Sequence, residues 1–507
     1  MKQRIIFGEL APDSAGIGAP PGLLLQAQNV RPYGGKYLPV PALQAFDLIG
    51  TLTRCIGLGS FKAIAGLYAG QVVTFAGTAA KLNYFSGASL GFVDRSRAVG
   101  GAYAITGDAH WEFEQMGDFV IAAGAGEIPQ FWDLSADPES AGTLWDDIPN
   151  APGYTGAIPD FEHIAICRGF LLGSLDFTLT WSGFGDFAAW VPDPLGTQSD
   201  FQVFQTGGRV QRIIGGEYAV VVQERAIQRM TYIGVPDIFQ IDEVATNTGT
   251  FAPGSVVKIG GLIYFLNDDG FQVFNGAQVQ TIGDGKINRY FLNLVKQEYL
   301  GRMSAAVDPV NKLIMWAAVS VNNSAGDPTP DIIICYHYTQ DRWTTIDVGE
   351  AIDFLASAFT YPFTLDQIGT LFGSIEDVSP PLDDTFWQGS QRFPALVNAA
   401  HKLSYLQGSP LPATWETSEL NPGGDRRTVV NKVWPLVDGG ASLAAVGSRD
   451  LQSGAVVYDA AAAVNDTGFV PVRHAGRYHS LKITTEAGTE FESAIGADLE
   501  YSGGGMR

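Results

Sequence analysis

The run GLIYFLNDDGFQVFNG, residues 261–276, holds two apolar strands separated by a turn. Leu262-Ile263-Tyr264-Phe265 and Phe271-Gln272-Val273-Phe274 are rich in β-branched and aromatic side chains, and Asp269-Gly270 and Asn275-Gly276 are dipeptides that accept positive φ in type I′ hairpin turns. The same module recurs along the chain. A Gly- or Asn-containing turn leads into an apolar strand at Gly70 (VVTF), Gly117 (FVI), Gly169 (FLL), Gly216 (YAVVV), Gly261 (LIYF) and Asn311 (LIMW), at intervals of 47, 52, 47, 45 and 50 residues. A second turn and an aromatic-rich strand follow each time, among them KLNYF, QFWDL, LTWSG, QRMTYI and IIICYHY. The spacing suits the roughly 40 to 50 residues of a four-stranded propeller blade. A lone four-stranded sheet cannot cover its faces or edges, whereas six packed radially leave only short, protected edges. The repeat predicts an all-β chain, a six-bladed β-propeller over residues 46–350.

Outside the repeat the pattern changes. Residues 1–45 contain APDSAGIGAPPG, too rich in Pro and Gly for a helix or central strand, and read as an extended arm. Between Asp284 and Leu300, Ile287, Tyr290, Phe291, Leu294 and Val295 recur at helical spacing and Gly301 is placed to end a helix. The repeat fades over 351–411, which reads as a connecting segment. Short strands such as VVNKVWPLV, SLAAVG, AVVYDA and YHSLKITT then resume, and predict a small C-terminal β-sandwich over 412–507.

The composition agrees with a large folded β protein. Of 507 residues, 46% are hydrophobic and 17% charged, with 61 glycines and 11% aromatics, which argues for many strands joined by tight turns. The net charge of −22 disfavours a general nucleic-acid binder, because an acidic surface repels phosphate backbones; it is compatible with DNA sliding past. Cys55, Cys167 and Cys335 lie too far apart for a metal or disulfide pattern and read as small buried residues of a protein made in a reducing cytoplasm. The amino terminus lacks a secretion-signal core, and uncharged Ala63–Ala80 is interrupted by Gln71 and glycines, so no membrane span is expected.

The chemical motifs are weak. Gly87-Ala88-Ser89-Leu90-Gly91 matches the G-x-S-x-G elbow, but FVDRSR follows it in place of a helix. Gly283-Asp284-Gly285-Lys286 resembles part of a phosphate loop, yet Gln280 and Ile287 stand where a glycine and a hydroxyl residue are needed. Asn267-Asp268-Asp269-Gly270 lacks the ligand spacing of a calcium loop. None of the six histidines sits in a zinc pattern. No catalytic, cofactor-binding or metal residues are therefore assigned, and the expected class is non-enzymatic with no cofactor. The one group that stands out is basic: Arg426, Arg427, Lys432, Arg473, His474 and Arg477, in an otherwise acidic chain, are candidate contacts to a neighbouring subunit or partner.

Four stretches carry a family resemblance: LLLQAQNVRPYGGKYLPVPAL (23–43), RVQRIIGGEYAVVVQERAIQRMTYIG (209–234), APGSVVKIGGLIYFLNDDGFQVFNGAQVQTIG (252–283) and GRYHSLKITTEAG (476–488). In their style of strand and turn they resemble the packaged-DNA stabilisation, or tail nozzle, proteins of short-tailed bacteriophages. The resemblance implies a virion structural protein, made in the host cytoplasm and assembled as a homo-oligomeric ring, a hexamer in the family. Its partners would be portal, adaptor and other tail proteins, with double-stranded DNA passing non-specifically through the lumen and helped to stay packaged or to leave. The alternative is a propeller that recognises or cleaves host-surface carbohydrate.

Overall fold

The computed structural model describes residues 1–14, 18–156, 160–374, 378, 381–389, 391–424 and 426–503. The chain is all-β, and the described residues form seven four-stranded antiparallel units. Units one to six span residues 55–94, 112–147, 163–203, 210–246, 257–281 and 304–346 in order. Unit seven takes three strands from residues 352–410 and its fourth, Pro41–Ala45, from near the amino terminus.

The six turn-and-strand anchors of the sequence are the second strands of units one to six. In units one, four and six, every residue of Val72–Thr78, Ala219–Gln223 and Leu313–Ala318 is buried. A strand covered on both faces reads as an unbroken apolar run, and this made the repeat visible. Hairpin details differ from expectation. Asn267 pairs with Gly270, so Asp268 and Asp269 are the central turn residues, and Gly270 follows them at φ +117°.

Adjacent units pack through separate apolar layers. Val73 and Phe75 of unit one meet Val120 and Trp132 of unit two, and further layers join units two and three, three and four, four and five, five and six, and six and seven. The seventh layer brings Leu58 and Ala76 of unit one against Ala358 and Val397 of unit seven, closing the circle. First strands of neighbouring units touch around the axis, including Ile352–Phe359 against Cys55–Lys62. This closed ring of sheets is compatible with a β-propeller.

Several expectations are corrected. The unit count is seven, not six. The stretch 351–411 is not a connector but most of unit seven, whose first two strands are separated by helix Leu365–Phe372 and a 3-10 turn, so no tight turn marks it in the sequence. The arm is not merely extended, nor is the C-terminal module separate. Lys2–Ile6, Val30–Tyr33 and Lys36–Pro39 join a sheet with Thr428–Asp438, Val470–Gly476 and Ser493–Gly503. Leu24–Gln28 pairs with both Arg342–Ile346 of unit six and Thr414–Thr417, making one ten-stranded sheet from ring to C-terminal module. One core holds Phe271, Trp316 and Trp343 of the ring together with Phe7, Trp415 and Ile483. The expected helix is also shorter, Asn288–Leu294, with Ile287 and Phe291 buried in that core; the backbone turns extended at Val295 and a 3-10 segment follows over Gln297–Arg302.

Candidate functional site at the mouth of the ring

First strands line the axis, so side chains at their starts converge. Glu112, His163 and Arg212 lie at or near the starts of the innermost strands of units two, three and four. A register shift between Val210 and Arg212 leaves Gln211 unpaired and re-aims Arg212. Glu112 is buried, and its Oε1 lies 2.7 Å from His163 Nδ1 and accepts from Arg212 Nη1, while Oε2 accepts from the Ile164 N–H at 3.1 Å. Burial opposes the charge on Glu112, but Arg212 and His163 outweigh it and hold the carboxyl below its ordinary value. With Nδ1 engaged by the carboxylate, His163 keeps Nε2 free: no hydrogen bond to it exists among the described residues. An imidazole oriented in this way presents Nε2 in a fixed direction to a ligand hydroxyl, which can both donate and accept.

Two neighbours are perturbed differently. Burial pushes Glu114 up to about 7, with Arg212 and Arg392 only partly offsetting it. His110 is lowered to about 4 by burial and the Arg54 charge, and so stays neutral. A cavity of about 250 Å³ opens beside the cluster, bounded by Glu112, His163, Arg212, Glu162, Arg209 and Phe251. Arg209 is held by Glu162 at 3.2 Å and Asp176 at 2.7 Å, and the lining residue Asp108 is met at 2.6 Å by Arg302, which follows the lining residue Gly301. Among the described residues no group of three or more His, Cys, Asp or Glu side chains is placed to hold a metal.

Sequence reasoning missed this cluster because its members are separated by about fifty residues, one repeat each. The signal available was their common position, just before or at the innermost strand of successive units. The residues it did single out lie elsewhere. Arg427 pairs with Asp450 at 3.0 Å, Lys432 with Glu500 at 3.5 Å, and His474 with Asp459 at 2.7 Å. Arg426, Arg473 and Arg477 are exposed and make no ion pair among the described residues. Arg473 lies on Val470–Gly476, which ends its sheet, and Arg477 directly follows it.

The weak motifs occupy ordinary turns. Gly87–Leu90 is the hairpin between Leu82–Ser86 and Gly91–Asp94, with no helix after it. Lys286 bridges Glu9 and Asp341, both at 2.8 Å, and so ties the arm to unit six. All three cysteines are buried and unpaired, and burial raises the Cys167 thiol to about 11.

No family model matches the chain, and no curated protein matches it. Among solved structures it is similar to the Neurospora crassa Pan2 WD40 domain, at 8% identity over 73% of this chain and 97% of that one, TM-score 0.40. It is also similar to the computationally designed Ika8 protein, at 10% identity over 71% and 99%, TM-score 0.36. A third likeness, to the extracellular domain of the putative hybrid two component system BT3049 from B. thetaiotaomicron, has 11% identity over 86% of this chain and 49% of that one, TM-score 0.42.

Proposed function

We propose that this protein is a β-propeller of seven blades serving as a non-enzymatic virion component, a nozzle or hub ring at the DNA exit end of a phage tail. Copies of the chain form the ring, which meets portal, adaptor and other tail proteins and passes or retains DNA through its lumen. The family resemblance suggests the particle; the observation that carries the assembly is the trio Arg426, Arg473 and Arg477, exposed and unpaired among the described residues of a chain with net charge −22. Cations with no ion pair among the described residues, beside the last strand of a sheet, fit the acidic face of a neighbour and fix its register by charge. No helix among the described residues is long and apolar enough to cross a membrane.

Mass photometry and negative-stain microscopy, with and without portal and adaptor rings as template, test this reading. Rings of one size are expected, weakened by salt and lost in Arg473→Glu/Arg477→Glu. A wild-type protein that stays monomeric and inert toward tail partners would overturn it. The alternative, carbohydrate recognition, is favoured by one observation, the cavity beside His163.

A further inference from the structure

We infer that the cavity at the mouth of the ring is a binding site for a single neutral sugar residue of a glycan. The inference rests on the cavity and not on ring assembly, so a monomeric protein can satisfy it and a ring-forming one can fail it.

Size sets the first limit. At about 250 Å³ the cavity is smaller than sites for drug-sized ligands and suits one pyranose ring. Charge sets the second. Arg209, Arg212 and Arg302 are each engaged by carboxylates, Glu162 with Asp176, Glu112, and Asp108 respectively. No cation on the rim is left over for a phosphate, sulfate or carboxylate ligand, and His110 stays uncharged. The remaining capacity belongs to hydroxyl chemistry: His163 Nε2 is free to exchange a hydrogen bond with a hydroxyl, the Glu162 oxygens accept, and the Gln211 amide, on the residue that the register shift frees, can both donate and accept.

The third argument is Phe251. Phe251 is 40% exposed, although the residues on either side, Thr250 and Ala252, are buried. Thr250 Oγ1 donates to the Leu266 carbonyl at 2.6 Å and accepts from the Ala252 N–H at 3.0 Å, which pins the loop. An aromatic ring held out of the core on a fixed backbone offers an apolar face beside convergent polar groups, the combination that binds the C–H face of a sugar while its hydroxyls are read from the side.

The test is titration calorimetry and saturation-transfer NMR on the full-length protein with the methyl glycosides of glucose, galactose, N-acetylglucosamine and rhamnose, and with N-acetylneuraminate as the anionic control. Saturable binding of at least one neutral glycoside is expected, with Kd on the order of 1 mM. Phe251→Ala and His163→Ala should each weaken it by about tenfold or more, a loss of roughly 1.4 kcal/mol. Phe251 lies outside the core layers, so its variant should melt with the wild type, which separates lost binding from lost folding. The inference is overturned if no neutral glycoside saturates, if only N-acetylneuraminate binds, or if both variants bind as the wild type does.

Discussion

Glu112 and Glu114 lie two residues apart on one inner strand, yet their carboxyls are driven in opposite directions. Glu112 has a guanidinium, an imidazole and a backbone N–H on its two oxygens, and stays charged. The Glu114 carboxyl makes no hydrogen bond among the described residues, and burial raises it to about 7. A carboxyl of the unfolded chain titrates near about 4.3. Between that pH and about 7 the folded protein keeps a proton on Glu114 that the unfolded chain has released, so this group's contribution is full below the window and is lost as pH rises through it. Glu112 acts the other way: its contribution is present above about 4.3 and is lost as pH falls through its lowered folded value. Glu114→Gln removes the first effect alone. The variant should match the wild type near about pH 4.5 and exceed it by about 1–2 kcal/mol near pH 8. Thermal melts across that range check this; a constant offset at every pH would show that Glu114 does not titrate there.

At the scale of elements, the arm is the part that holds ring and C-terminal module in one body. Pro41–Ala45 supplies the outer strand of unit seven, with Tyr405 opposite Gln44, and Leu24–Gln28 joins unit six to Thr414–Thr417. Deleting residues 1–45 would uncover Trp415 and Phe46's aromatic neighbours and strip a partner from four strands at once, Arg342–Ile346, Leu403–Pro410, Thr414–Thr417 and Ser493–Gly503. Exposed apolar edges of this kind pair with other chains. The truncated protein is expected to aggregate or to be cut rapidly by protease across both 304–346 and 412–503, whereas a soluble ring with only the C-terminal module digested would show that the two fold independently. The same elements explain what the sequence disclosed. Second strands such as Leu313–Ala318 were legible because they are buried throughout and follow a tight turn. Unit seven was not, because its first turn is replaced by Leu365–Phe372, whose Thr364/Gln367 capping box was the available sign of a helix, and because its last strand lies over 350 residues away in the chain. The site was illegible for a related reason: Glu112, His163 and Arg212 are neighbours only after three sheets have closed around one axis.

For the molecule as a whole, charge decides whether it can hold a duplex. Thirty-one basic against 53 acidic side chains leave a net −22, and many of the cations are already spent on carboxylates within the chain, as Arg97 is on Glu127 and Asp147. Affinity for a duplex grows with the number of phosphates neutralised and so rises steeply as salt is lowered. Arg426, Arg473 and Arg477 are too few to make a cationic track, and in the proposed ring they face a neighbouring subunit and not the lumen. The purified protein should therefore fail to shift a duplex at about 0.2 M salt and at about 0.05 M alike, in contrast to the roughly 10³-fold or greater gain that six or more phosphate contacts would give over such a range. A mobility-shift titration at the two ionic strengths measures this directly. Retention that strengthens sharply at low salt would require a basic surface that the charge distribution does not provide, and would replace the proposed passage that repels DNA by a grip that holds it.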